Sequence, residues 1–188
     1  MKTFISLLRG INVSGQNKIR MPELKGLYES LNLGNVVPYI QSGNVIFDCE
    51  EQDPARLAGT IEAEIARSFG TSVRVFLRDK NRFKQIIDSN PFSNQRNKDP
   101  EKLHVTFLSD SPSESALSNL LVPADPKRSV ASNGDEFMVY DKEIYLYCPN
   151  GYGRTKLSNN FFERKLSVSA TTRNWKTVNA LYKMANER

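Results

Sequence analysis

Hydrophobic residues in the first half of the chain recur first at strand spacing and then at helix spacing. Lys2–Leu8 is an apolar run typical of a strand, and Leu24, Leu27 and Leu31 follow Pro22 at helical intervals. Further strands are predicted over 36–41, 44–47 and 72–77, with a turn at Ser42-Gly43 and a second helix from Asp53-Pro54. The order β-α-β-β-α-β is ferredoxin-like. It predicts an antiparallel sheet that carries both helices on one face.

The second half repeats much of this order after a polar connector over 93–101. Asp79 is the predicted cap of a short helix that precedes the connector. The next elements are a strand over Leu103–Leu108, a helix with a capping box from Ser111 to Glu114, strands over 129–131, 136–140 and 143–148, and helices over 156–166 and 172–186. We therefore predict an α+β fold of two ferredoxin-like (βαββαβ-related) halves with antiparallel sheets and additional C-terminal helices. The predicted domains are residues 1–92 and residues 102–188.

Composition describes an ordinary globular chain whose positive charge is concentrated at its C-terminal end. Hydrophobic residues make up 39% and charged residues 25%, and no apolar run is long enough to span a membrane. Residues 1–153 carry 18 Lys/Arg against 19 Asp/Glu, whereas residues 154–188 carry eight against two. The whole net charge of +5 therefore belongs to the C-terminal tract, which favours a phosphate-bearing partner.

The residue types of conventional catalytic and metal sites are mostly absent. His104 is the single histidine and has no recognisable nucleophile beside it, so a structural or surface role is favoured. One histidine and two distant cysteines predict no metal site. Cys49 and Cys148 are expected to be free thiols, and Arg9 interrupts the apolar N-terminal run, so a cytoplasmic protein is predicted. No reaction and no cofactor can be assigned from these residues.

The loop 149–156 is the strongest candidate for ligand binding. Gly151 and Gly153 allow the backbone amides to approach a ligand, and Arg154 and Lys156 supply positive charge at the start of a predicted helix. The spacing does not match a Walker A motif. Anion binding and an ordinary flexible connection with surface cations are equally compatible with this pattern.

Further polar residues extend the candidate site. Arg173 is predicted in the first turn of the last helix, capped by Thr171 or Thr172, where the helix dipole disfavours a cation unless an anion compensates. That anion is either a ligand or an internal carboxylate. The other candidates are Arg9, Asn12, Ser42, Asn44 and Asn174.

Several stretches of the chain resemble a bacterial family known as domain of unknown function 1697. They are Phe4-Ile-Ser-Leu-Leu-Arg-Gly-Ile-Asn-Val-Ser-Gly15, Lys18-Ile-Arg-Met-Pro-Glu-Leu24, Tyr39-Ile-Gln-Ser-Gly-Asn-Val-Ile-Phe47 and Ala170-Thr-Thr-Arg-Asn-Trp-Lys-Thr-Val178. The resemblance implies an α/β protein built from ferredoxin-like units, and it implies no activity. The family is usually glycine-rich after Ile-Asn-Val, where this chain has Ser14-Gly15, a mild departure.

The resulting hypothesis is a basic pocket between the halves that binds a phosphate-bearing small molecule or nucleotide. Its expected residues are Arg9, Asn12, Ser42, Asn44, Gly153, Arg154, Lys156, Arg173 and Asn174. The alternative is a nucleic-acid-binding module that uses the basic C-terminal tract, although the paired aromatics of RNA-binding sheets are not recognisable. A transferase that uses the anion site is a third reading, for which the sequence offers no acid/base pair. The oligomeric state is not predicted.

Overall fold

The computed structural model describes residues 1–13, 17–51, 53–120, 128–130 (backbone alone) and 133–188. The chain divides into two compact units, the first formed by Met1–Gln85 with Ala180–Arg188 and the second by Ile86–Asn179. The domain bounds expected from the sequence, residues 1–92 and 102–188, stay a prediction. No helix among the described residues is both long enough and apolar enough to cross a membrane.

The first unit contains a four-stranded antiparallel sheet with strand order β2-β3-β1-β4. Its elements are β1 (Lys2–Leu8), α1 (Met21–Ser30), β2 (Gly34–Tyr39), β3 (Asn44–Cys49), α2 (Pro54–Phe69) and β4 (Val75–Asp79), followed by α3 (Lys80–Asp88). Pro22 stands in the first turn of α1, and Asp53 caps α2 by accepting the Ala55 and Arg56 N–H groups. Both helix starts agree with the sequence-based prediction.

Both helices of the first unit pack on the same face of the sheet, as predicted. One apolar cluster contains Phe4 and Leu8 of β1 together with side chains of β3 and β4. The same cluster contains α1 through Leu24 and α2 through Ile61 and Ile65, each fully buried. Burial of each such side chain contributes roughly 1.5–3 kcal/mol to stability, so the two amphipathic stripes determine this arrangement.

The second unit contains a five-stranded sheet with strand order β6-β7-β8-β5-β9. Its elements are β5 (Leu103–Leu108), α4 (Glu114–Leu120), β6 (Arg128–Val130), β7 (Glu136–Tyr140), β8 (Glu143–Tyr147), α5 (Asn159–Leu166) and β9 (Ala170–Asn174), followed by α6 (Trp175–Asn186). Short 3-10 helices cover Pro100–Lys102 and Tyr152–Arg154. The fold class predicted from the sequence is confirmed.

The two units share one topology, and several strand pairings and side-chain contacts are equivalent in both. The shared order is β-α-β-β-α-β-α, and β6 is an additional edge strand of the second unit. Ile5 pairs with Arg78 in the first sheet, and Val105 pairs with Arg173 in the second. Nη1 of Arg78 donates to the carbonyl of Leu77 at 3.0 Å, and Nη1 of Arg173 donates to the carbonyl of the preceding residue at the same distance.

A second pair of equivalent contacts supports the duplication. Glu62 of α2 accepts the N–H of Val75, the first residue of β4, at 2.8 Å. Glu163 of α5 accepts the N–H of Ala170, the first residue of β9, at 2.9 Å. Each carboxylate therefore ties a helix to the strand that follows it.

Three element predictions for the second half need correction. The last helix begins at Trp175, because residues 170–174 pair with β5 as a strand. Ser113, not Ser111, accepts the Ala116 N–H at 3.2 Å, while the Ser111 hydroxyl donates to Asp141. The helix expected from residue 156 begins at Asn159, after Ser158 caps it. Ala131, expected in a strand, lies outside the described residues.

Candidate functional site

The loop 149–156 links β8 to α5 and presents two cations to solvent. Gly151 has a φ of 88°, and the 3-10 helix Tyr152–Arg154 follows it. The side chains of Arg154 and Lys156 are exposed. Within the described part of the chain, neither forms an ion pair or a side-chain hydrogen bond. The loop therefore offers two unengaged positive charges on a backbone that a glycine allows to turn.

A buried carboxylate fixes this loop from its inner side. Thr155, which stands between the two cations, donates a hydrogen bond to Asp135, and Asp135 is only 1% exposed. The Thr155 hydroxyl also accepts the Leu157 N–H at 3.0 Å. Asn150 Nδ2 donates to the carbonyl of Asn133 at 3.1 Å. Because these bonds already order the loop, a ligand bound there would immobilise little additional chain.

Cys148, the residue just before the loop, is buried and has an altered pKa. Burial, and to a lesser extent the negative charge of Asp135, raises the pKa of the Cys148 thiol to about 11. A hydrogen bond with Thr155 partly opposes both effects. Cys49 is a free, half-buried thiol. The two cysteines therefore differ in access to solvent.

We expect Cys148 to be unreactive in the folded protein near pH 8, because the thiolate is the reactive form of cysteine. A chromogenic thiol reagent should label Cys49 alone in the folded protein and both cysteines after unfolding. The Cys49→Ala variant should then show no fast phase until the pH approaches about 11. Rapid labelling of folded Cys49→Ala near neutral pH would contradict the burial of Cys148.

The single histidine anchors Tyr152 to the sheet. The rings of His104 and Tyr152 stack with centroids 4.9 Å apart, and Nδ1 of His104 lies 3.2 Å from the carbonyl oxygen of Lys102. Burial lowers the pKa of His104, partly opposed by that backbone hydrogen bond. The imidazole is therefore neutral at physiological pH and adds no positive charge to an anion site. The structural role favoured for this histidine fits its position.

Two of the expected site residues, Arg173 and Asn174, have structural partners. Arg173 lies in β9 and is 8% exposed, so its prediction as a first-turn helix residue is wrong. Its Nη1 donates to Thr171 Oγ1 at 2.9 Å, and burial lowers its pKa to about 10. Asn174 caps α6, because its Oδ1 accepts the Thr177 N–H at 2.7 Å. The argument that the helix dipole at Arg173 calls for an anion therefore does not apply.

The expected site residues of the first unit meet where β1 ends. Leu7 pairs with Asn44, and the Leu8 N–H donates to the Gly43 carbonyl at 2.8 Å. Arg9, the next residue, therefore lies beside the turn that contains Ser42. The Arg9 N–H donates to a different strand, to the carbonyl of Arg74 at 2.9 Å.

The side-chain amides of Asn12 and Asn44 form hydrogen bonds with backbone groups and do not point into an open site. Nδ2 of Asn12 donates to the carbonyls of Ile19 (2.9 Å) and Gln41 (2.8 Å), and its Oδ1 accepts the Ile19 N–H at 3.0 Å. Nδ2 of Asn44, a fully buried residue, donates to the Tyr39 carbonyl and to Ser42 Oγ. These contacts clamp the loop after β1 onto the β2–β3 turn.

The family assignment can now be tested against known proteins. A family model described as "Protein of unknown function (DUF1697)" matches residues 1–145. The chain belongs to this family. The resemblance inferred from the sequence is thereby confirmed. Comparison with curated proteins finds no match.

The fold of this DUF1697 member is shared with a solved structure. The conserved bacterial protein SP0830 from Streptococcus pneumoniae is similar over 99% of each chain, with a TM-score of 0.74 and 22% sequence identity. At that identity the likeness shows the fold alone. The family match ends at residue 145, before the loop 149–156, so membership says nothing about that loop.

Sequence reasoning missed Asp135, the residue that fixes the candidate loop. A usable signal lay in the hairpin register, which pairs Glu136 with Tyr147 and so brings Asp135 next to Cys148. Among the described residues, no group of histidine, cysteine, aspartate and glutamate could hold a metal ion.

Proposed function

We propose that the loop 149–156 of the second unit binds a phosphate-bearing small molecule or nucleotide. The observation that carries the proposal is the pair of exposed cations, Arg154 and Lys156, that form no ion pair with any described residue. Most arginines of the first unit are engaged instead, for example Arg67 with Glu64 and Arg74 with Glu62. Unengaged cations on an ordered loop favour an anionic ligand.

The start of α5 supports the same proposal. The helix begins at Asn159, directly after the loop, and Ser158 Oγ accepts the Phe161 N–H at 3.3 Å. The remaining first-turn N–H groups and the positive end of the helix dipole adjoin the two cations. Asp135 opposes an anion electrostatically, but its carboxylate already accepts hydrogen bonds from Thr155 and Asn133.

The test removes both loop charges without changing side-chain length greatly. We expect Arg154→Gln/Lys156→Gln to weaken binding of ATP, ADP or inorganic phosphate at least roughly tenfold, because hydrogen bonds to charged groups contribute about 1.5–3 kcal/mol each. Calorimetric titration measures the affinity, and thermal melting should show almost unchanged stability. Arg164→Gln/Lys165→Gln is the matched control, since these α5 cations are also exposed. No binding by the wild type across the panel would contradict the proposal.

The nucleic-acid alternative has one supporting observation. Arg164 and Lys165 on α5 are also exposed cations, and they form no ion pair with any residue that the structure describes. A phosphate backbone would engage all four cations, so both double variants would weaken binding equally. Its affinity would also fall steeply with salt, with a log–log slope of roughly −0.7 per phosphate for a single strand, whereas one pocket-bound anion gives a shallow slope.

We further propose a cytoplasmic, bacterial protein. Cys49 and Cys148 are free thiols at equivalent ends of β3 and β8, and both are expected to stay reduced. The similar structure from Streptococcus pneumoniae is that of a bacterial protein. Expression as a fusion and fractionation of a bacterial cell would test the location.

A further inference from the structure

A groove of about 800 Å³ lies in the first unit, beside the edge strand β2 and helix α1. This volume is within the range of small-molecule sites in proteins. Its charged residues are Lys25, Glu29, Asp48 and Arg188. Two of these side chains are cationic and two are carboxylates, so the groove offers both charge types to a ligand. It shares no residue with the loop 149–156.

The carboxylate of Asp48 lines the groove and is held in place by two hydrogen bonds. The Asp48 side chain is 9% exposed. Its Oδ1 accepts the Thr3 hydroxyl at 2.7 Å, and its Oδ2 accepts Asn35 Nδ2 at 2.8 Å. Asn35 has a φ of 49° and stands within the irregular pairing of β2 between Gly34 and Val37. Bulges of this kind redirect side chains next to binding sites.

A largely buried guanidinium faces this carboxylate without bonding it. The Arg188 side chain is 18% exposed, and its Nη1 lies 3.9 Å from Asp48 Oδ1. That distance is too long for a hydrogen bond, and Arg188 makes none to any described residue. Loss of hydration lowers the pKa of Arg188, and the Asp48 charge only partly opposes this. A partly desolvated guanidinium with unfilled donors is suited to a planar carboxylate, which it can bind through two parallel hydrogen bonds.

Two exposed charged residues of α1 and two apolar residues complete the lining of the groove. Lys25 and Glu29 on α1 form a loose pair at 3.5 Å, with side chains 46% and 51% exposed, so each can turn to a ligand. Leu33 and Val36 also line the groove. The groove thus places cations, carboxylates and an apolar wall within one small volume.

We propose that this groove binds a free α-amino acid with an aliphatic side chain. The ligand carboxylate pairs with Arg188 and Lys25, and its ammonium group pairs with Asp48 or Glu29. Its side chain packs on Leu33 and Val36. A zwitterion pairs with both charge types in the groove, whereas a simple acid or amine pairs with only one.

The test titrates the full chain with L-leucine by calorimetry. We expect a Kd of about 1 mM or tighter, because the groove is open and the ligand small. Isocaproate, which lacks the ammonium group, and isopentylamine, which lacks the carboxylate, should each bind at least roughly tenfold more weakly. Arg188→Gln should weaken leucine binding by a similar factor. Arg67→Gln removes an arginine of the same unit that does not line the groove, and it should leave binding unchanged.

Three outcomes would overturn the proposal: no saturable binding of leucine, equal binding by Arg188→Gln, or an affinity for isocaproate equal to that for leucine. Lys25→Gln provides a second variant on the exposed rim should Arg188→Gln fail to fold. Nucleotide binding by the loop 149–156 should be unaffected by Arg188→Gln, so failure of one proposal is distinguishable from failure of the other.

Discussion

Replacement of Gly43 by alanine is expected to lower the free energy of unfolding by about 2–5 kcal/mol. Gly43 turns the chain between β2 and β3 with a φ of 71°, and an added Cβ would lie 2.6 Å from Ile11 Cδ1 and 2.8 Å from Leu8 Cβ. Leu8 Cβ belongs to a strand and cannot move aside. Chemical denaturation with fluorescence or circular dichroism would measure the change.

Substitutions at two other glycines distinguish backbone strain from steric overlap as causes of the loss of stability in Gly43→Ala. Gly10 has a φ of 70° but open space around an added Cβ, so Gly10→Ala should cost only about 1–2 kcal/mol from backbone strain. Gly59 lies in α2 with open space and an ordinary φ, so Gly59→Ala should stabilise by roughly 0.5–1 kcal/mol. If Gly43→Ala cost no more than Gly10→Ala, the close packing of Ile11 and Leu8 against the turn would be wrong.

The first half of the fold was predictable because its signals are local and agree with one another. Pro22 and Asp53-Pro54 begin helices whose apolar stripes, Leu24/Leu27 and Ile61/Ile65, both need the same sheet face. The turn at Ser42-Gly43 then determines how β2 and β3 pair. Each of these features depends on neighbours within a few residues, and the ferredoxin-like order follows from them.

The start of α6 was not predictable by the same reasoning. Residues 170–174 contain threonines and an asparagine that are compatible with a helix cap, and Trp175 begins an apolar stripe at helical spacing. Pairing with β5 decides between strand and helix, and that pairing joins residues far apart in the sequence, such as Val105 and Arg173. The equivalent Ile5–Arg78 pair in the first unit shows that the duplicated topology requires a strand there.

The sequence predicted which residues of the candidate site carry a charge, but not which of their side chains are exposed. The glycine loop and its cations Arg154 and Lys156 stand out in the sequence, and the structure leaves both exposed. Arg173 belongs to the same basic tract but is buried. Composition assigns the same charge to all three residues, whereas burial depends on the structural element that carries each side chain. Asn12 and Asn44 likewise look like ligand-binding amides until their backbone partners are known.

The second large effect concerns a buried ion pair between the connector and β7. Lys98 Nζ bonds the Glu136 carboxylate, and the two side chains are only 7% and 11% exposed. The ammonium group also lies 4.0 Å from the ring centroid of Tyr147 on β8. We expect Lys98→Met to destabilise the protein by about 3–5 kcal/mol, because it removes the positive charge that bonds the buried Glu136 carboxylate. Denaturant unfolding of the full chain measures this loss.

Removal of both charges should recover much of that loss. In Lys98→Met/Glu136→Leu neither charge of this pair remains to be desolvated, and replacement of a buried pair by apolar side chains of similar volume is often neutral or stabilising. Lys25→Met is the exposed control: its pair with Glu29 has side chains 46% and 51% exposed, so the change should be within about 0.5 kcal/mol. A loss for Lys98→Met as small as that for Lys25→Met would mean that water reaches the Lys98–Glu136 pair. A double variant less stable than Lys98→Met would mean that the contacts of Glu136 beyond Lys98 contribute more than the pair itself.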